Sequence, residues 1–376
     1  MELSIYSTAT LLGVLRQTQL DTFSPFWLNF FPGSMNFQTR EIIFEMIPRQ
    51  RKMAPFVAPN VQGRIMRSQG STTRSFKPAY IKPKHEVDPS RTLVRRAGEA
   101  ILGSQSPQQR WDAIVAENLA MEKEAIMRRW EWMCARAVID GAVTISGEDY
   151  PTQTVDFGRH SSLKGVLVGA AMWSDPSSTP LADLEHYRRQ VQFLTGTTIS
   201  RLIFGLDAWT AFSQHADVKA LLNTLVRGSE TSYNIAVPDA TPYEFRGTLT
   251  GQNGLGRLDL YTYSDTYEAE DGSGQLVPFL DSGTLVGVGA GIDGMQLFGA
   301  IQDKRAGMAA LSMFPKMWDQ EDPSITYTMT QSAPLFVPMQ PNAAFSLKVV
   351  ASTFTYPNIN LGYPDSDRTP GYHSTY

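Results

Sequence analysis

The sequence predicts an α+β protein on three observations. One helical pattern of unusual length runs through residues 107 to 140, a proline-punctuated basic segment precedes it, and short strand patterns fill the C-terminal third. The chain has 376 residues, 42% hydrophobic and 19% charged, which suits a folded protein with room for two ordinary domains. The single cysteine, Cys134, excludes an internal disulfide framework and points to a reducing compartment, the cytoplasm. Five scattered histidines lack metal-ligand spacing, so no metal is expected. The N-terminus lacks the basic start and apolar run of an export signal, and no run approaches the roughly 18 apolar residues of a membrane span.

Taken in order, Phe23, Phe26, Trp27, Phe30 and Phe31 recur at helical spacing, with Ser24-Pro25 as a start signal and Pro32-Gly33 as a stop. A short helix there would carry all five rings on one face. That face suits ordinary core packing or an arm anchored on a neighbouring molecule.

Six prolines between Pro48 and Pro89, with Gly63 and Gly70, exclude a long helix over this stretch. Residues 61 to 67 and 71 to 77 are expected to pair around Gln69-Gly70 as a projecting hairpin. From Arg40 to Arg96 there are thirteen basic and four acidic residues, net +9; since the whole chain carries −4, the remainder holds −13. Opposite potentials on two parts of one chain suit docking of one copy's segment on another copy's body. Arg64, Arg67, Arg74, Lys77, Lys82 and Lys84 are the candidates for that charged docking. A nucleic-acid binder and a merely solvated loop remain open, although Phe76 and Tyr80 are the only aromatics from Val57 to Arg96.

Ser106-Pro107-Gln108-Gln109 supplies an N-cap, a proline at the first helical position and a glutamine placed for a capping box. Trp111, Ile114, Val115, Leu119, Ala125, Ile126, Trp130, Met133, Ala137 and Val138 form the apolar face, with Cys134 beside them. Glu117, Glu122, Lys123, Glu124, Arg128, Arg129 and Glu131 are expected on a charged outer face, and Gly141 can close the helix. A Gly- and Ser-rich loop comes next, then a helix from Pro180 to Leu194, a buried strand over Ile199 to Phe204, and short helices over Ala208 to Gln214 and Val218 to Leu225. Strands are expected over Arg257 to Tyr263, Leu276 to Leu280, Thr284 to Val288, Ile325 to Thr330, Leu335 to Val337 and Phe345 to Val350.

Two motifs invite chemistry. Phe279-Leu-Asp-Ser-Gly-Thr284 has the form of an aspartic protease loop, but no second such loop occurs to share the proton. Gly289-Ala-Gly-Ile-Asp-Gly294 spells a dinucleotide fingerprint, yet residues 295 to 301 lack the pattern of a helix that would face a pyrophosphate. A strand-and-turn crossing accounts better for those glycines. No catalytic residue, cofactor or metal site is assigned.

Several runs carry a family resemblance: Gly70-Ser-Thr-Thr73, Tyr80-Ile-Lys-Pro-Lys-His-Glu-Val87, Ile301-Gln-Asp303, Phe314-Pro-Lys-Met-Trp318 and Thr326-Tyr-Thr-Met-Thr-Gln-Ser-Ala-Pro-Leu335. On these the chain resembles the lambda-type (family E) major capsid proteins of tailed phages, over nearly all of residues 1 to 350. The resemblance implies the Hong Kong 97-type fold: an N-terminal arm (1–40), an extended loop (41–98), a peripheral domain (99–150 and 296–338) with a spine helix (107–140), and an axial domain (151–295 and 339–356). A tail (357–376) lies beyond the pattern. It further implies self-assembly as hexamers and pentamers into an icosahedral shell around double-stranded DNA, which meets the inner face without sequence specificity. A decoration protein, a scaffold and protease, and a portal are the implied partners, with the virion, and the host cytoplasm during assembly, as location. The acidic remainder would keep DNA from adhering to the inner wall. A non-viral shell subunit of the encapsulin type would share the fold.

Overall fold

The computed structural model describes residues 6–18, 23–39, 41–46, 53–54, 56, 59–60, 62, 72–94, 105–147, 150–225, 242–251, 256–270, 273–322, 324–353 and 355–357. Its axis is the helix Pro107–Ile139, 33 residues and therefore about 50 Å long. The expected capping box is present: Ser106 Oγ accepts from Gln109 N at 3.2 Å, and Ser106 N donates to Gln109 Oε1 at 2.8 Å. Asp140 caps the other end and Gly141 comes next with φ 71°, a left-handed conformation that glycine adopts without strain.

The largest sheet among the described residues is mixed and six-stranded. Its order is 164–166, 344–348, 284–289, 199–204, 256–263, 243–251. Helices Pro180–Thr195, Leu206–Gln214 and Ala216–Leu225 accompany it, and Leu184, Val191, Leu202, Phe204, Phe212 and Phe345 lie in its core. Gly196, at φ 78°, ends the first of these helices.

Beside the long helix lie two three-stranded sheets. In one, Gly33–Asn36 runs parallel to Gly294–Phe298, which pairs antiparallel with Pro334–Pro338. In the other, Phe314–Gln320, Ile325–Gln331 and Lys84–Val87 are all antiparallel. Each covers part of the helix's length with apolar residues, so the helix is packed along most of its course.

Several expectations are corrected. The aromatic segment forms only a 3-10 turn, Trp27–Phe30, because Pro32 and the strand from Gly33 leave no length for an α-helix. Strand Thr72–Phe76 pairs with Ile42–Met46 rather than with 61–67, which lies almost entirely outside the described residues. The segment after the long helix, expected as a loop, holds a hairpin of Ala142–Gly147 and Tyr150–Asp156. Helix Thr8–Gln17 and strand Phe314–Gln320 have no counterpart among the elements expected from the sequence. The dinucleotide-like glycines lead into a strand, as the rejection of that motif required. A Cβ on Gly294 would collide with the Phe30 carbonyl and the Phe31 ring, so this glycine permits the arm's close approach.

Candidate assembly surfaces and their mounts

The long helix is a mount for the N-terminal segment and the loop that precede it. Buried charge does much of the holding. Glu131, expected on the solvent face, is fully buried, and its carboxylate accepts the backbone N–H groups of Phe26 (2.7 Å), Trp27 (2.6 Å) and Leu28 (2.9 Å). These are the donors that a short helical turn leaves without intrahelical partners, and an anion there also suits the helix dipole. Burial pushes the Glu131 carboxyl up to about 7, against the pull of the three N–H groups, with nearby Asp265 adding to the rise.

Lys123, earlier on the same helix, does the converse. Its Nζ donates to the carbonyls of Leu15 (3.0 Å) and Thr18 (2.5 Å), at the C-terminal end of helix Thr8–Gln17. A cation placed there satisfies orphan carbonyls and the negative end of the dipole. Burial lowers the Lys123 pKa.

Glu122, also expected outside, is fully buried and accepts Thr328 Oγ1 at 2.8 Å and Thr330 Oγ1 at 2.6 Å. His85 Nδ1 lies 3.3 Å from the same carboxylate. Strand Lys84–Val87, where the extended loop returns, is thereby tied to the helix as well as to Ile325–Gln331. Ala125, counted on the apolar face, is exposed instead.

The far end of the helix is held by Arg159, which the sequence pattern leaves in a loop. Its guanidinium donates to the carbonyls of Val138 (2.6 Å), Ile139 (3.0 Å) and Ala137 (3.3 Å), and to Pro341 (3.0 Å). Burial lowers its pKa to about 10, with Asp140 opposing, so the group stays charged at neutral pH.

The five arm aromatics are the clearest correction to the candidate interface. Phe23, Phe26, Trp27, Phe30 and Phe31 are all buried within their own subunit. Phe26 meets Tyr243, Tyr261 and Tyr263, and Phe31 meets Phe336 edge-on. Rings already enclosed by their own chain cannot anchor on a neighbour.

Of the basic candidates, Arg64 and Arg67 lie outside the described residues, and Arg74 sits on strand Thr72–Phe76. Lys77, Lys82 and Lys84 are exposed. Lys77 pairs with Glu41 at 3.6 Å, both well exposed, a pair that contributes little to stability. Lys82 stands over the Tyr80 ring and Lys84 over Tyr327, 3.5 Å from its centroid. Among the described residues, Lys82 and Lys84 lie close together where the loop returns to the sheet.

The protease-like loop is an anchoring turn. Asp281 accepts Gly283 N at 3.0 Å, the Lys348 ammonium at 2.9 Å and the Ser352 hydroxyl. Burial works against ionisation there, yet those donors hold its carboxyl below the usual range. A carboxylate held ionised by a lysine is ill placed to share a proton with a second acid. Its work is to fix the chain after strand Ala344–Lys348.

Four of the five runs that carried the resemblance converge, while Thr72 and Thr73 of the fifth pair with Met46 and Glu45 in another sheet. Residues 84 to 87 pair with 326 to 329, and 314 to 320 pair with 325 to 331. Asp303 closes the group, accepting Lys316 Nζ at 2.7 Å and Gln331 Nε2 at 3.1 Å.

Known proteins are similar to this chain in sequence and in fold. The family described as phage major capsid protein E matches residues 7–349. The major capsid proteins of Escherichia phage N15 and Escherichia phage lambda are each 32% identical over 356 residues, 92% of this chain and 100% of theirs. A solved structure assigned as a prophage capsid protein of Escherichia coli CFT073 superposes with a TM-score of 0.68 at 26% identity, covering 92% of this chain and all of the other. A phage-related protein of Bordetella bronchiseptica RB50 shares the fold at a TM-score of 0.50 and 12% identity, over 93% and 98% of the two chains.

Proposed function

The chain belongs to the phage major capsid protein E family and has the Hong Kong 97-type fold, and from that premise we infer that it builds an icosahedral shell as hexamers and pentamers. The observation that carries this reading is the match along nearly the whole chain to major capsid proteins covered over their full length. In this reading the protein works by binding its own copies, with no reaction to catalyse.

The proposed division follows the elements. Residues 1–40 form the arm and 41–98 the extended loop. Residues 99–150 with 296–338 form the peripheral domain, 151–295 with 339–356 the axial domain, and 357–376 the tail. The division rests on the resemblance: the large cluster around the helix also takes in Ile203, Tyr263 and Val286 of the six-stranded sheet, and a second cluster holds the sheet's other residues, among them Leu202, Phe204 and Leu285. Burial of the arm's rings adds that the arm belongs energetically to its own subunit, which leaves the extended loop as the reaching part. Arg64, Arg67, Arg74, Lys77, Lys82 and Lys84 are proposed as its charged contacts. A decoration protein, a scaffold and protease, and a portal are the further partners, and double-stranded DNA meets the inner face without sequence preference. The virion is the destination, and the host cytoplasm the place of assembly.

Sedimentation velocity on the purified chain tests this reading. Capsomers or shells are expected, in equilibrium with subunits and weakened by salt because exposed opposite charges are screened. A single monomeric boundary at every salt and protein concentration, with the expected partners added, would contradict it.

A further inference from the structure

We propose that Phe56 of the extended loop seats in an apolar groove beside the long helix of a second copy of this chain. The inference rests on the self-assembly reading and names the partners within it. The groove holds about 330 Å³, and Tyr80, Ile81, Trp132, Met133, Ile145 and Tyr150 are among its walls. It lies between the long helix, the return of the loop and the hairpin 142–156. Trp132 is fixed there: its Nε1 donates to Tyr267 Oη at 3.3 Å, and the Arg129 guanidinium stands 5.3 Å from its ring centroid. Arg129 is held in turn by Glu270 at 2.5 Å. A half-buried, positioned aromatic wall with a polar rim is the kind of pocket that takes one apolar anchor of a partner.

The anchor is supplied by the same sequence. Phe56 is fully exposed and Met53 is 88% exposed, the two largest exposures among the large hydrophobic residues described. A phenylalanine left wholly in water forfeits about 2 kcal/mol that burial would return. Charge favours approach to this side of the molecule, where exposed Glu268 stands near the groove and Glu270 is shared with Arg129 in its wall. No acidic residue occurs from Met46 to His85, and Arg49, Arg51 and Lys52 lead directly into Phe56. On the other side, Asp265, Glu268 and Glu270 fall within one short segment, and Glu270 itself lines the groove. Opposite potentials orient the approach, and the aromatic insertion fixes the register. The strong charge asymmetry of the chain thus finds a place to act.

Site-specific photo-cross-linking tests the contact. The variant Phe56→p-benzoylphenylalanine keeps an aromatic side chain at the loop. It is assembled from a mixture of unlabelled and ¹⁵N-labelled copies, illuminated, and mapped by mass spectrometry. Mixed-isotope cross-links to the residues that line the groove, within 79–81 and 129–150 or at Glu270 and Pro334, are the expected result. The further variant Ser146→Trp, at an exposed position lining the groove, should cut their yield by about tenfold, the effect of losing about 1.4 kcal/mol of contact. Shells whose cross-links fall elsewhere, lie within one chain, or ignore Ser146→Trp would overturn the docking while leaving self-assembly intact. Failure of the unaltered chain to assemble under any condition would overturn the reading beneath it, and the docking with it.

Discussion

Glu131 sits where a carboxylate is costly, and the three N–H groups it receives do not fully offset its loss of water. Its folded-state pKa of about 7 lies above the ordinary 4.5. The folded state therefore holds the proton more tightly than the unfolded one. The resulting stability is fully present below pH 4.5 and is lost as pH rises through 7, by an amount of about 3 kcal/mol. Urea unfolding at pH 5 and pH 8 should show the wild type weaker at the higher pH, and Glu131→Gln should lose most of that difference. An unchanged pH slope in the variant would refute the assignment. The titratable groups beside this carboxylate are Asp265, Tyr263 and Cys134; Asp265 is itself raised by burial, Cys134 and Tyr263 are pushed up by burial and by Glu131, and Arg128 pulls Asp265 and Tyr263 the other way.

None of this was legible locally. Helical spacing assigned Glu122, Lys123 and Glu131 to a charged outer face because acids and lysines are rarely buried unless paired. Their partners are backbone N–H groups, carbonyls and hydroxyls of segments that are distant in sequence, and periodicity does not register such partners. Arg159 escaped notice for the same reason: four carbonyls, on the helix and at Pro341, define its role.

At the scale of elements, the long helix was readable to its cap because every signal there is local: a serine, a proline, a glutamine at the right offset and a sustained apolar period. The hairpin 142–156 was missed although Val143 and Val155, both buried and paired in register, face one side of it. Its exposed positions carry mostly threonine and glycine, and that composition reads as loop. The pairing of 42–46 with 72–76 could not be read from turn signals, which favoured a partner only a few residues away.

The arm gives the sharpest test at this scale. Trp27 is fully enclosed by its own subunit, so Trp27→Ala should destabilise the isolated chain by about 3–5 kcal/mol, measured by denaturant unfolding of unassembled protein. If the arm were an anchor for a neighbour, the isolated chain would lose almost nothing and only assembly would suffer.

Across the whole molecule, the helix about 50 Å long shares one large apolar cluster with residues of the six-stranded sheet, and a second cluster holds the rest of that sheet's core. Fold class and family were legible because the runs at 80–87, 314–318 and 326–335 are each contiguous in sequence; in the fold 84–87, 314–318 and 326–331 come together in one sheet. The interface was less legible, since which apolar residues face outward depends on what the subunit itself has already covered. Replacing Arg64, Arg67 and Arg74 together by Glu should leave a folded chain by circular dichroism and abolish closed shells by light scattering. Normal shells from that variant would remove the proposed charge-led docking of the loop.

The central claim is that this subunit closes on itself through copies of one fold. Cryo-electron microscopy of particles formed from the purified chain, alone and with its scaffold, tests it most directly. Closed icosahedral shells are expected, with five- and six-fold capsomers and with each extended loop crossing onto an adjacent subunit. Discrete monomers or dimers, or shells in which every loop folds back on its own subunit, would contradict it.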